Sequence, residues 1–362
     1  MGNLIAFKSI LAAAVLLCFA GEAVGQERGE GPKIHGYLQF LVILHEEGSP
    51  GGVSDSGGAL AGFQERRARI GARGRLADGF AGYNLMTEWA ANTPAVVDFW
   101  GSVHPTDGTE ILFGRFKPYL SAEMFAGGVD LPNLERSTSG RLIAAYMFPL
   151  GSTRDLGVMA KYSLPNQLGQ LYLSATNGLG SGPSAQVGGE AINRKNIRAK
   201  EASGMVSAAL ALEPLAGLTF SLAATVNDIS HMTDAEGNDS RIDRNSAAAG
   251  IRYDAPYGWL DAEYTTARKG AADIDGRDEM NGYYMRAAAW LIDQRLDLIL
   301  RHCALERGVE AKARDSDYSV ALRLRHKQFE ALAEYIRADG ADGSFYGPTD
   351  PWALAVRLGV RF

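Results

Sequence analysis

Polarity alternates along most of this chain with a period of two. The clearest run is FQERRARIGARGRL, Phe63 to Leu76. Its odd positions carry Glu65, Arg67, Arg69, Arg73 and Arg75, and its even positions carry Ala68, Ile70, Ala72 and Leu76. Successive side chains of a strand point to opposite faces, so these four arginines share one face. Asp297, Ile299 and Arg301 stand against Leu296, Leu298 and Leu300 in the same way, and Tyr318, Val320, Leu322 and Leu324 against Asp317, Ser319, Arg323 and Arg325. The last run sets Trp352, Leu354, Val356, Leu358, Val360 and Phe362 against Ala353, Ala355, Arg357 and Arg361. A helix would not keep this period.

Two architectures use such strands. In a soluble sandwich the apolar face is a core; in a membrane barrel it meets lipid, and the charged face lines a wet interior. Strand length decides for the barrel. The runs last about ten to thirteen residues, near the ~9–11 of a tilted strand crossing a bilayer and beyond the ~5–6 of globular sheets. Aromatic residues also sit near the ends of the apolar bands, as Tyr83 and Trp89, Phe329 and Tyr335, and Trp352 and Phe362 do.

The pattern predicts strands at 33–45, 63–76, 80–91, 95–103, 109–117, 155–163, 169–177, 203–213, 217–227, 244–254, 257–267, 280–291, 295–305, 314–325, 327–337 and 352–362. Sixteen is an even number, as closure of a single-chain antiparallel barrel of the bacterial outer membrane requires. Short turns then fall on one side and long loops on the other. An extra strand at 142–148 would break that alternation, so 118–154 is read as the third long loop, a length that marks function or disorder. Its apolar stretch from Leu142 to Phe148 predicts packing inside the barrel.

Residues 1–25 read as a secretory signal peptide: Lys8, an uncharged stretch from Ser9 to Ala20, then Ala23-Val24-Gly25. Its removal would take Cys18 and leave 26–362 as the barrel, with Cys303 the one cysteine and no internal disulfide. The remaining composition excludes a disordered or collagen-like chain, and a net charge of −6 gives no sign of a nucleic-acid partner.

The order FQERRARIGARGRL, AVVDFWGSV, EILFGRFKPYLSAEMF, LERS, RDLGVMAKYS and LYLSATNGLG resembles the phosphate-selective porin O and P family. By motif the resemblance covers about residues 33–180, and beyond that the strand rhythm and terminal Phe362 only. It implies a sixteen-stranded outer-membrane barrel, commonly a homotrimer, that passes small anions by diffusion. It also implies a third loop folded into the lumen as a constriction and a ladder of wall arginines, to which Arg67, Arg69, Arg73, Arg75 and Arg115 correspond.

Charge patterning bears on this independently. An arginine facing mid-bilayer lipid costs roughly 2–4 kcal/mol, so the arginines of the second strand face inward. Extended along the chain, the alternation turns inward Arg67, Arg69, Arg73, Arg75, Arg115, Lys117, Lys161, Arg252, Arg286, Arg295, Arg301, Arg323, Arg325 and Arg357. The inward acids are Glu65, Glu88, Asp98, Asp254, Asp261, Glu263, Asp297, Glu330 and Glu334. A basic excess inside an acidic chain focuses its field into a pore and predicts small inorganic anions as the solutes. The alternative is that these arginines pair with acids on adjacent strands and stiffen the wall.

For an anion site the loop supplies Arg136 and Arg141, with Lys117 at its entrance, against Glu123, Asp130 and Glu135. Phosphate specificity, a general weakly selective porin and a plugged barrel serving as scaffold or adhesin all stay open. Arg194, Lys195, Arg198 and Lys200 form a basic cluster that could collect anions or outer-membrane lipid, or simply be solvated. No metal or cofactor site is expected: histidine spacing does not suit zinc, and Asp234 to Asp239 is out of register for calcium. No nucleophile or nucleotide motif points to an enzyme, and lipid-facing His302 has no evident serine partner.

Overall fold

A computed structural model describes residues 32–45, 60–76, 79–90, 94–148, 153–178, 186–187, 190–191, 204–233, 239–271, 278–308, 313–340 and 352–362. The expected signal peptide lies outside the described residues, as do 194–200, 234–238 and 273–277.

Sixteen strands close into one antiparallel barrel. They are β1 Lys33–His45, β2 Leu60–Leu76, β3 Ala81–Glu88, β4 Ala95–Thr106, β5 Thr109–Phe116, β6 Asp155–Ser163, β7 Gly169–Thr176 and β8 Gly204–Leu215. There follow β9 Leu218–Thr233, β10 Asp239–Ala255, β11 Gly258–Ala271, β12 Asp278–Ile292, β13 Leu296–Arg307, β14 Ala313–His326, β15 Phe329–Gly340 and β16 Trp352–Arg361. Each strand pairs with its neighbours in sequence, and β1 closes on β16 from Tyr37↔Arg361 to His45↔Ala353. A separate pair, Gln186–Val187 with Glu190–Ala191, lies between β7 and β8 in sequence.

The alternation is realised as two faces. On β14, Tyr318, Val320, Leu322 and Leu324 are exposed on the outside, while Asp317, Ser319, Ala321 and Arg323 are buried on the inside. On β16, Leu354 and Leu358 face out and Ala353, Ala355 and Arg357 face in. Short connections join the strands on one side; that between β8 and β9 turns on Gly217 at φ +78°, where a side chain would be strained. All sixteen expected strands are present in order. The main difference is that β9 and β10 run on past 227 and back before 244, pairing Ile229 with Ile242 and Thr233 with Asp239. Ladder hydrogen bonds continue there although the alternation has stopped.

The structure corrects one inward assignment. The β1–β2 register shifts between Gln39 and Phe40, which pair with Arg67 and Glu65. A bulge at Arg66 therefore puts Glu65 on the outer row beside Phe40, not inward. Arg115 stands opposite Phe99 on β4 and Leu156 on β6 in the ladders, but it follows Gly114 at φ +123° and its side chain is buried where theirs are exposed on the outer face. Lys117 lies just past the end of β5 at Phe116, at the start of the loop.

Between β5 and β6 the chain forms two helices, α1 Ala122–Phe125 and α2 Thr138–Met147, with Ser121 and Ser137 as N-caps. Phe116 and Tyr119 pack with Met159, Tyr172, Ala209, Ala223 and Ala248 of the wall. Ala144, Met147 and Phe148 pack with Met205, Ala267, Met280 and Leu305. Each such Met, Leu or Phe side chain contributes roughly 1.5–3 kcal/mol when fully buried.

Candidate functional site

The charged groups divide into a paired set along much of the wall and a basic set around β2 and the loop. In the paired set, Arg286 donates to Asp261 at 2.8 Å through both Nε and Nη2, and to Glu123 at 3.1 Å. Arg301 donates to Asp317 at 3.1 Å. Arg323 and Arg325 share Asp297, Arg357 donates to Glu330 at 2.7 Å, Lys161 to Glu110 at 3.0 Å and Arg252 to Asp254. Glu110 and Asp317 were missing from the inward acids read from sequence, as Arg66 and Arg244 were from the inward bases.

Several of these groups also hold the loop by its main chain. Arg357 donates to the carbonyls of Leu131, Asn133 and Leu134, and Glu334 accepts from the Leu134 N–H and Asn133 Nδ2. Glu263 accepts from the N–H groups of Ala122 and Glu123.

The basic set gathers most of the expected site residues. Arg67 donates to Gln39 Oε1 at 2.8 Å. Arg69 donates to Glu88 at 2.7 Å and lies 5.6 Å from the centroid of the Tyr37 ring. Lys117 Nζ donates to the Ala126 carbonyl at 2.8 Å and is 3.4 Å from that of Phe125. Arg136 donates to the same Ala126 carbonyl at 2.7 Å and to that of Glu123 at 3.3 Å. Lys117 and Arg136 thus meet at the carbonyl end of α1, whose partial negative charge offsets a cation less than a carboxylate does. Burial, reinforced by Arg136 and then Arg154, holds the Lys117 ammonium well below the usual lysine value.

Two members of this set, Arg66 and Arg154, were not read from the sequence. Arg66 pairs with Glu135, and Arg154 donates to Asp98 at 2.8 Å. Burial opposes ionisation of Glu135, but Arg66 and then Arg67 outweigh it, with Arg141 on α2 contributing, so its carboxyl stays below the ordinary range. Arg73 and Arg75 lie further along β2, exposed, and neither forms an ion pair among the described residues. Arg115 is buried next to the end of β5. On the outer face His302 stacks on Tyr318 at 4.4 Å and meets the Tyr283 hydroxyl at 3.4 Å.

A closed sixteen-stranded antiparallel barrel with an apolar outer face and a charged inner one is an outer-membrane barrel, and its place is the bacterial outer membrane. Solved structures of that class share the fold. The anion-selective porin from Comamonas acidovorans is similar with a TM-score of 0.70 at 15% identity, covering 92% of this chain and 100% of that one. The outer membrane channel DcaP of Acinetobacter baumannii gives 0.66 at 12% identity, covering 92% and 97%. OmpF of Salmonella typhi gives 0.63 at 15%, covering 92% and 98%. No protein-family model and no curated protein matches the chain, so the resemblance to the phosphate-selective porins rests on the motifs quoted above.

Proposed function

We propose that this protein is a porin that passes small anions by passive diffusion, with residues 118–154 narrowing the lumen. The observation that carries the sign of selectivity is the convergence of Lys117 and Arg136 on one carbonyl oxygen, with Arg69 and Arg154 close enough to act on Lys117. Half-buried cations in a low-dielectric wall raise the local anion concentration. Arg73 and Arg75 extend the positive row along β2. An oxyanion such as phosphate suits this set, because arginine forks and a lysine point charge are the donors it uses best.

The paired wall favours a second reading, a general porin of weak anion preference. Variants measured in planar bilayers under a KCl gradient separate the two. Lys117→Gln with Arg136→Gln is expected to move the zero-current potential toward zero, and Arg73→Gln with Arg75→Gln to move it less. Phosphate is expected to block chloride current in the unaltered protein and not in the first variant. An unchanged potential in both pairs would remove these residues from the mechanism. The resemblance to the porin O and P family supports a homotrimer whose apolar outer face also contacts outer-membrane lipid, which mass measurement in detergent checks.

A further inference from the structure

The inner wall is not uniformly polar. Under α2 it presents Met205, Ala267, Met280 and Leu305, buried in one cluster with Ala144, Met147 and Phe148 and with Leu120 and Met124 from the preceding stretch of the loop. Apolar side chains facing an aqueous lumen would otherwise be unfavourable, so this patch is matched to the helix. Gly282 on β12 belongs to the same patch, and a Cβ there would come within 2.6 Å of Ser139 Cβ, so the helix lies almost on the strand backbone.

The charges around the patch are ordered as well. At the N-terminal end of α2, Thr138 donates its hydroxyl to Asp317 at 2.6 Å, and the Ser137 N–H donates to Glu123 at 3.0 Å. At the C-terminal end the helix has no basic residue of its own in its last turn. The wall supplies one: Arg244 Nη1 donates to the Tyr146 carbonyl, and Asn227 Nδ2 donates to that of Met147 at 2.9 Å. Arg244 forms no ion pair among the described residues, whereas Arg286, Arg301, Arg323 and Arg357 all do. Arg301 and Arg286 pair with those two carboxylates, which therefore hold the N-terminus by direct hydrogen bonds, while Arg244 complements the C-terminal end of the helix dipole.

We infer that Asp317 and Arg244 form a two-point seat that fixes the position and direction of α2 inside the barrel, making Arg244 a positioning residue for the constriction. This rests on the reading of 118–154 as the constriction. The seat also seals Cys303, which is fully buried beneath the start of the helix and donates its thiol to Asp317. Cys303 is therefore a native reporter: it reacts only when α2 leaves the seat.

The test is the rate of maleimide labelling of Cys303 in the folded barrel, in a chain carrying Cys18→Ser. The unaltered protein is expected to resist labelling until it unfolds. Arg244→Gln touches nothing near the thiol, yet it should speed labelling about tenfold, the scale of one hydrogen bond to a charged group. Arg244→Lys, which keeps the charge, should stay protected. Gly282→Ala, which wedges the helix outward, should label faster without any change of charge. Rapid labelling of the unaltered protein, no acceleration in Arg244→Gln and Gly282→Ala, or equal acceleration in Arg244→Lys and Arg244→Gln would overturn the proposal. Labelling does not depend on conduction, so a sealed Cys303 in a barrel that passes no current would reject the diffusion reading and leave the seat standing.

Discussion

Lys117 shows how a single residue's setting becomes a measurable property. Its ammonium is held well below the ordinary lysine value, first by burial and then by Arg136 and Arg154. It therefore loses its charge at a pH where surface lysines keep theirs. In that window the unfolded chain binds the extra proton, so stability rises with pH while anion preference falls. Zero-current potentials measured at rising pH should show this loss, and Lys117→Arg should flatten the profile; an equal profile in the variant would acquit Lys117. At Arg66 and Arg67 the sequence held a signal that strict alternation overlooked. Two adjacent arginines in a membrane strand would send one into lipid at a cost of roughly 2–4 kcal/mol. The bulge at Arg66 turns both inward, and Glu65 takes the outer place. Arg154 gave no such signal, because it lies in a loop, whereas Arg244 opens the strand expected at 244–254 with the parity of Arg252 and was missing from the inward row.

The strands were legible because each is a local record of two environments. All sixteen lie where alternation places them, and only their ends differ, most on β9 and β10, where backbone pairing persists without a lipid-facing pattern. The loop between β5 and β6 was legible in length and in its apolar stretch, but not in its contacts. Its main chain is placed by partners far away in sequence, such as Glu263 at α1 and Glu334 and Arg357 between the helices. Much of that hold acts on carbonyls and N–H groups, so the loop's side-chain pattern does not reveal it. Arg357 illustrates the strength of such a hold: it is buried, pairs with Glu330 and donates to three loop carbonyls. Arg357→Leu leaves Glu330 and those carbonyls without that partner and should cost about 3–5 kcal/mol, the range for breaking a buried pair from one side. Urea unfolding of the refolded barrel measures it, and a loss below about 1 kcal/mol, the scale of an exposed pair, would mean that water replaces the arginine.

For the molecule as a whole, net charge is a poor guide to function. The chain carries −6, yet the groups that would meet a passing ion around β2 and α1 are mostly basic. Much of the rest of the inner wall is balanced arginine by carboxylate, as the ties of Asp297 to Arg323 and Arg325 and of Asp261 to Arg286 show. On the proposed function, selectivity belongs to the basic cluster, and the paired wall serves chiefly to hold the barrel and its loop. The most direct test is the zero-current potential of the unaltered protein in a planar bilayer under a tenfold KCl gradient. The account predicts a potential of the sign that chloride carries. A potential of the opposite sign would mean that the acids govern the pore, and an absence of conductance would mean that the loop closes it.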